Sequence, residues 1–476
     1  MASAIPENRA RLSLAEIARA TGGELTGSAE TIVEGVVTDS RAALEGKLFI
    51  ALPGERFDGH TFVSAALRGG ARALVVERDV GDVKAPVIRV ESCYRALGQL
   101  AALHRQRWSG KLVAVAGSAG KTTTRACIGA MLEALSPGSV HQVAGNLNNR
   151  VGVPLVLLGL QDSHRLAVIE IGTNALGEVS ELGELAKPDV AVLTLIGLEH
   201  TEGLGSIDAI EREEAALFES LRSGAVAIGN VDDERVRRNL ERAPAARRIG
   251  YGFEAFADYR VVERSVTASL RSRLSVRRPA APDLSFETTL VGRAGAYALA
   301  AALAVGEACL GEPVQPSELN RALETLGQGE PGRLTPVTLE NGMIVLDDSY
   351  NANPASLTSS VSAAAELARA AGRRLVLVLG EMRELGEDSP RLHREAGESL
   401  LGSGAEVVIG LSGDARWLIE PLVTNGARGE FAEDVEAAQR LLRELTESSD
   451  VVLVKASRGV RAERIVEGLK AAGRSA

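Results

Sequence analysis

The sequence predicts an α/β chain in three domains: a central P-loop ATPase-type parallel sheet, a small N-terminal α/β domain and a C-terminal Rossmann-like domain. Three observations predict it. An apolar run, Lys111 to Ala116, enters a glycine loop that opens a helix. Short apolar runs then alternate with helical patterns to the end of the chain, as in a doubly wound sheet. The length of 476 residues suits about three domains.

The composition narrows the function. Hydrophobic residues make up 45% and aromatics 3%, so Ala, Val, Leu and Gly must do most of the packing. The net charge of −10 argues against nucleic acid, which needs a basic face. Cys93, Cys127 and Cys309 are scattered, with no C-x-x-C, and read as buried small hydrophobes in a reducing compartment. Met1 to Arg11 lacks the apolar core of a signal peptide, and no uninterrupted apolar run reaches membrane-spanning length. The expected location is cytoplasmic.

Residues 1–108 read as the first domain. Leu12 to Thr21 is an amphipathic helix, followed by strands at Ile32 to Val37 and Lys47 to Ala51. Between them lies Asp39-Ser40-Arg41, which from the residues alone is a turn with a local ion pair. A turn-rich loop, Pro53 to His60, leads to a helix around Ala65. Ala73 to Glu77 and Val87 to Val90 are short buried strands.

Residues 109–330 hold the loop Gly117-Ser118-Ala119-Gly120-Lys121-Thr122-Thr123-Thr124. Its small residues let backbone N–H groups and the helix N-terminus curl around phosphates. Lys121 can reach the outer phosphates and Thr122 can sit on magnesium. The longer Walker pattern wants a glycine where the chain has Val115. Ala167 to Ile171 and Val190 to Ile196 suit central parallel strands. They end in Glu170, Thr173 and Asn174, and in Glu199 and His200, on the expected rim of the loop. Glu170 suits magnesium, and His200 suits either a second ligand position or a phosphate hydrogen bond. Helix Ile207 to Ser220 carries Glu211, Arg212, Glu213 and Glu214 in a row, the usual pattern of a solvated face. Hairpins from Arg260 to Leu290 and an alanine-rich helix, Ala294 to Cys309, close the domain.

Residues 331–476 repeat the alternation, with strands at Met343 to Leu346, Arg374 to Leu379, Glu406 to Ile409 and Val451 to Val454. No G-x-G-x-x-G marks a second nucleotide site there.

Across its length the chain resembles the Mur ligases. The resemblance is carried by Thr38 to Arg41, Phe57 to His60, Gly117 to Thr124 and Gly145 to Asn149. It continues in Glu170 to Asn174, His200 to Gly203, Gly332-Arg333, Asp348 to Pro354, Gly380 to Gly386 and Lys455 to Arg458. The Tyr-Asn-Ala-Asn-Pro and Glu-Met-Arg-Glu-Leu-Gly segments point to the member that joins D-alanyl-D-alanine to UDP-N-acetylmuramoyl-tripeptide. That reaction uses ATP and Mg2+ and runs through an acyl phosphate, in peptidoglycan synthesis. The resemblance implies that Lys121 holds the γ-phosphate. Thr122 and Glu170 would hold one magnesium, with His200 helping a second. Arg333 would approach ATP as the C-terminal domain closes, with Asp348, Tyr350, Asn351 and Asn353 on the closing face. Asp39, Ser40 and Arg41 would grip the UDP end. Asn146, Asn148, Thr173, Asn174 and Arg383 are expected among the substrate contacts, and a monomer is implied.

The sequence departs from the family in three places. Glu214 stands where a carbamylated lysine usually supports magnesium. It brings its charge without carbon dioxide but is shorter by roughly 3–4 Å. Ala294, Gly295 and Ala298 stand where His-Asn and a further Asn approach the adenine, so no amide remains there to read the base. Leu195 and Leu198 replace an asparagine and a proline. Two alternatives follow: a diverged, weakly catalytic or non-catalytic paralogue that binds UDP-muramoyl peptides, or an amide ligase for a different amine or peptide.

Overall fold

The computed structural model describes residues 6–54, 57–143, 145–267, 269–327 and 331–473. Met1 to Ile5 of the N-terminal reading, and Glu55 and Arg56 of the turn-rich loop, lie outside the described residues.

The central sheet has nine strands. Lys111–Ala116 lies between Leu166–Glu170 and Val190–Leu193, parallel to both. The chain leaves it first towards one edge, through Leu166–Glu170 and Val140–His141. It then winds the other way through Val190–Leu193, Val226–Asn230 and Arg247–Gly252. The reversal makes the end of Lys111–Ala116 a topological switch point, where open α/β sheets bind ligands. Register places Glu170 beside Val115 and Leu193 beside Ala116, so both neighbouring strands end on the loop's rim, as expected. Tyr259–Val266, Ser272–Arg277 and Leu284–Thr288 add the expected antiparallel hairpins at the far edge.

Strand alternation feeds two cores. Leu112, Ala114 and Ala116 face one cluster with Val153, Leu182 and Leu217. Val113 and Val115 face the other, with Ile128, Met131 and the alanines of helix Gly292–Leu310. That helix is long and apolar enough to cross a bilayer by length and composition. Here it is a core helix, packed against Lys121–Leu135, with Ala300 to Val305 fully buried. Gly292 lets it approach the third domain: φ is +69°, and a Cβ there would stand 2.6 Å from the Ala363 methyl.

The N-terminal sheet is mainly parallel, from Val36–Val37 through Leu48–Ile50 and Ala73–Val76 to Val87–Arg89, with Glu24–Thr26 antiparallel at its edge. The first helix is Leu14–Thr21, later than expected, because Ser13 and Glu16 form a reciprocal capping box. Leu12 sits in strand Arg11–Ser13. The expected strand Ile32 to Val37 is broken by Gly35. The C-terminal sheet has six strands. Val451–Lys455 lies between Ile344–Asp348 and Leu375–Gly380, and only Thr335–Thr338 is antiparallel. The three cysteines are buried and unpaired, and burial pushes the Cys93 and Cys127 thiols up to about 12.

The acidic run on helix Ile207–Glu219 is a correction. Glu211, Glu213 and Glu214 are all buried, and Arg212 alone is exposed. The Glu213 carboxylate accepts from the Gly177 and Val179 N–H groups at 2.6 and 2.8 Å and from the Thr173 hydroxyl at 3.2 Å. It satisfies the start of helix Glu178–Ala186, whose first N–H groups have no partner within the helix. Glu211 is held by Arg235, Arg238 and Asn239. Charge patterning could not reveal this, because the partners come from other segments.

Glu213→Ala should therefore lower stability by about 3 kcal/mol, since it strands buried donors. Arg212→Ala should stay within about 0.5 kcal/mol. Urea midpoints of the two variants check both values.

Candidate active site

The loop after Lys111–Ala116 is shaped by its neighbours. Gly117 has φ +121°, and a Cβ there would lie 2.2 Å from the Thr194 hydroxyl. Ser118 is tied down rather than free: its N–H donates to Leu195 O, and its hydroxyl accepts from the Gly197 N–H. Gly120, left-handed, starts helix Lys121–Leu135. Ala119, Thr122 and Thr123 line a cavity of about 430 Å3 that begins at this loop.

Two groups of side chains meet here. In the first, the Thr122 hydroxyl donates to Glu170 Oε2 at 2.9 Å, and Asn148 Nδ2 donates to Glu170 Oε1 at 2.7 Å. Arg333 reaches across from the third domain and donates to Thr122 Oγ1 at 3.0 Å. Its guanidinium lies 4.0 Å over the Tyr350 ring. In the second, Lys121 Nζ lies 3.4 Å from Glu199 Oε1. Burial opposes the Lys121 charge, but Glu199, Glu214 and Glu170 outweigh it and hold its pKa above the ordinary lysine value. Glu214 is fully buried, and its Oε2 accepts from the Gly117 N–H at 2.7 Å. Burial, with the Glu199 carboxylate beside it, pushes the Glu214 carboxyl up to about 8 against the pull of Lys121. Glu214 Oε1 is buried with no hydrogen-bond partner among the described residues.

Other expected residues are placed as follows. His200, at φ +49°, pairs through Nδ1 with Glu384 of the third domain, and its Nε2 is 3.8 Å from Glu199. Among the described residues no three acidic or histidine side chains form a set that could hold an ion alone. Asp348 accepts from Lys455 at 2.6 Å and Ser360 at 2.5 Å, so it anchors the cavity wall. Asn353 caps helix Pro354–Ala371 and donates to Ser118 O at 3.2 Å. Asn351 accepts from Lys455 through its carbonyl. Thr173 is turned towards Ala175 O and Glu213, and the exposed Asn174 donates its N–H to Glu178. Asn146 accepts from the Asn148 N–H through its carbonyl. Asp39 and Arg41 form the local ion pair, 2.7 Å long, around Ser40, and the Arg41 side chain is 88% exposed. Arg383 lies on a separate cavity, beside Glu381.

The lining of the 430 Å3 cavity around Ala294 differs from expectation. Ala294 does line it, but an amide is present from another strand: Asn230, with Tyr251, Arg293 and Tyr297. Arg293 donates to Asp232 and Tyr297, and its guanidinium lies 4.0 Å over Phe253. Asn230 follows an apolar run as Glu170 does, which is the signal that could have found it. Glu199 was visible beside His200, and Lys455 opened one of the family segments, but its pairing with Asp348 was not legible there.

Comparison with known proteins gives one answer over the whole chain. The family model for the Mur ligase middle domain matches residues 115–306. That for the Mur ligase family catalytic domain matches 32–105, and that for the Mur ligase glutamate ligase domain matches 332–458. The UDP-N-acetylmuramoyl-tripeptide–D-alanyl-D-alanine ligase of Escherichia coli (strain K12) is 32% identical, over 97% of this chain and 99% of the relative. A crystal structure of MurF from Acinetobacter baumannii superposes with a TM-score of 0.85 at 27% identity, over 97% of this chain and 99% of that one. MurF from Thermotoga maritima in complex with ADP superposes at 0.81 and 28% identity, over 92% and 98%.

The Glu214 carboxyl sets a pH dependence. Its pKa is raised from 4.5 to about 8 in the folded protein, so the folded form keeps a proton that the unfolded form has lost in between. Its contribution is full below about pH 4.5 and is lost as pH rises through about 8. Without magnesium, Glu214→Gln should flatten the fall in urea midpoint across that window; an unchanged slope would assign the titration elsewhere.

Proposed function

The chain belongs to the Mur ligase family, and we infer that its reaction is the one its relatives are named for: ATP-dependent joining of D-alanyl-D-alanine to UDP-N-acetylmuramoyl-tripeptide. The observation that carries the inference is the meeting of Lys121, Thr122 and Arg333 on one loop, with the third domain already docked on it. ATP phosphorylates the tripeptide carboxylate, the dipeptide amine attacks the acyl phosphate, and phosphate leaves. The protein's task is to position reactants and offset charge. Lys121 and Arg333 bring positive charge to the γ-phosphate from two sides. Asn353 and Tyr350 hold the closing face in register, and closure keeps water from the acyl phosphate.

The donors at the loop fit magnesium, which takes hard oxygen ligands and usually one or two carboxylates beside phosphates. Thr122 and Glu170 supply a hydroxyl and a carboxylate in contact, and Glu214 Oε1 is a buried oxygen with no hydrogen-bond partner among the described residues. Bound magnesium would screen the phosphate charge. We assign Thr122 and Glu170 to one ion, and Glu214, with His200, to the support of a second. Asn230, Arg293 and Tyr297 form the base end of the ATP site in place of the missing His-Asn pair. Asp39, Ser40 and Arg41 are the contacts for the UDP end. Asn146, Asn148 and the turn at Thr173 and Asn174 shape the path of the peptide. Buried free thiols and the family resemblance support a monomer acting in the cytoplasm.

Purified protein with ATP, magnesium, UDP-muramoyl-tripeptide and D-alanyl-D-alanine should release phosphate and yield the pentapeptide mass. No product beside a working control ligase would favour the diverged paralogue instead, and product from single amino acids would change the amine. Glu214→Ala should raise the magnesium needed for half-maximal turnover by about tenfold. Bicarbonate should leave the unmutated protein unchanged, since a glutamate needs no carbamylation; bicarbonate activation would remove Glu214 from this role.

A further inference from the structure

The loop at residues 380–386 of the C-terminal domain meets the segment that follows His200. The Glu384 carboxylate pairs with His200 Nδ1, the Glu384 carbonyl accepts from the Glu202 N–H at 3.3 Å, and the Leu385 carbonyl accepts from the Thr201 hydroxyl at 3.2 Å. His200 and Glu384 both have left-handed backbones, with φ +49° and +65°. Residues other than glycine stay there only where their surroundings fix them. For Glu384 those surroundings lie behind the loop. The Glu381 N–H donates to Leu411 O at 3.0 Å and the Arg383 N–H to Ser457 Oγ at 2.9 Å. Between them, the Met382 N–H donates to His393 Nε2 at 2.8 Å. Met382 and Leu385 are buried, while Arg383 and Glu384 are exposed.

His393, on helix Ser389–Ser399, is fully buried. Its Nδ1 donates to Ser389 O at 2.7 Å, so the ring proton sits on Nδ1 and Nε2 is left to accept. Burial holds its pKa below the usual histidine value, against the pull of Asp414, at the start of helix Ala415–Thr424, and of Glu381 on the loop. The ring is therefore neutral, the one state that can accept from Met382.

We propose that His393 is a positioning residue for the ligase reaction: its neutral Nε2 fixes the loop so that Glu384 and Leu385 dock on His200, Thr201 and Glu202. The inference rests on the ligase reading and adds to it a buried residue that acts through the loop. The route is short. His393 holds the Met382 N–H, and the chain turns from there into Glu384, which holds the His200 ring by Nδ1. A carboxylate on one imidazole nitrogen sets the direction of the other. Here the other, Nε2, lies 3.8 Å from Glu199, which faces Lys121. Without the His393 acceptor, the buried Met382 N–H would lack a partner, and the loop would shift to regain one.

The test uses the full chain and two substitutions. His393→Gln places an uncharged acceptor near the Nε2 position. His393→Asn keeps an amide nearer Nδ1 and is too short to reach Met382. Without substrates, amide hydrogen exchange across Thr201–Leu204 should be about tenfold faster in His393→Asn, the factor for one lost hydrogen bond, and close to that of the unmutated protein in His393→Gln. Exchange in strand Val451–Lys455 should stay within about twofold in both. An equal rise there would mean general destabilisation and overturn the assignment. With ATP, magnesium and both substrates, kcat should fall about tenfold in His393→Asn and recover to within about threefold in His393→Gln. Glu384→Ala should lower kcat too, and adding His393→Asn to it should cost little more, since both act on one contact. Losses that multiply, or a folded His393→Gln protein that behaves as His393→Asn does, overturn the assignment while the ligase reading stands. If the unmutated protein makes no pentapeptide, the ligase reading falls with the part of the assignment that concerns turnover, and the exchange rates still decide whether His393 sets the docking.

Discussion

A half-buried ammonium among buried carboxyl groups is the constraint that organises this protein. Lys121, Glu199 and Glu214 lie at the mouth of the central sheet with little access to water. Taking the Lys121 and Glu199 charges out of water costs several kcal/mol each unless they are paired and hydrogen-bonded, and burial leaves Glu214 holding its proton beside them. The fold meets that requirement from several directions. Gly117 donates its N–H to Glu214, Lys121 faces Glu199, and Asn353 reaches Glu199 from the third domain at 3.5 Å. The third domain is thus part of the charge balance of the loop as well as its cover.

The same device recurs at the end of the C-terminal sheet. Lys455 is buried, and burial holds its pKa below the usual lysine value even with Asp348 against it. That pair fixes the strand ends beside Tyr350, on whose ring Arg333 rests before reaching Thr122. A chain of contacts therefore links the core of one domain to the phosphate loop of another. Elsewhere the two domains meet through Thr201 with Leu385 and Arg264 with Glu366.

Much of this was legible in the chain. The apolar runs of parallel strands and the glycine loop are local patterns, and each became the expected element. Glu170 was readable because a carboxylate at the end of a central strand has few places to go. Glu214 stood out as a departure from the family, but its burial, like that of Glu213, was not readable. On a helix the periodicity gives a face but not what covers it, and both were covered by segments about 36 and 97 residues away. Asn230 and Arg293 were missed because that part of the cavity is assembled from a strand end and a helix start that share no motif.

By itself, the sequence determined the class of fold and the phosphate loop, because strand, turn and helix signals are short-ranged, and its resemblance to the family implied the ligase chemistry. The family segments lie at such local positions. Only the tertiary structure decided which acidic residues are buried. It also decided that Arg333 touches Thr122, and that Arg383 and Arg458 line one cavity with Glu199 and His200. Burial and charge pairing depend on which distant segments meet, and that is settled by packing the three domains together.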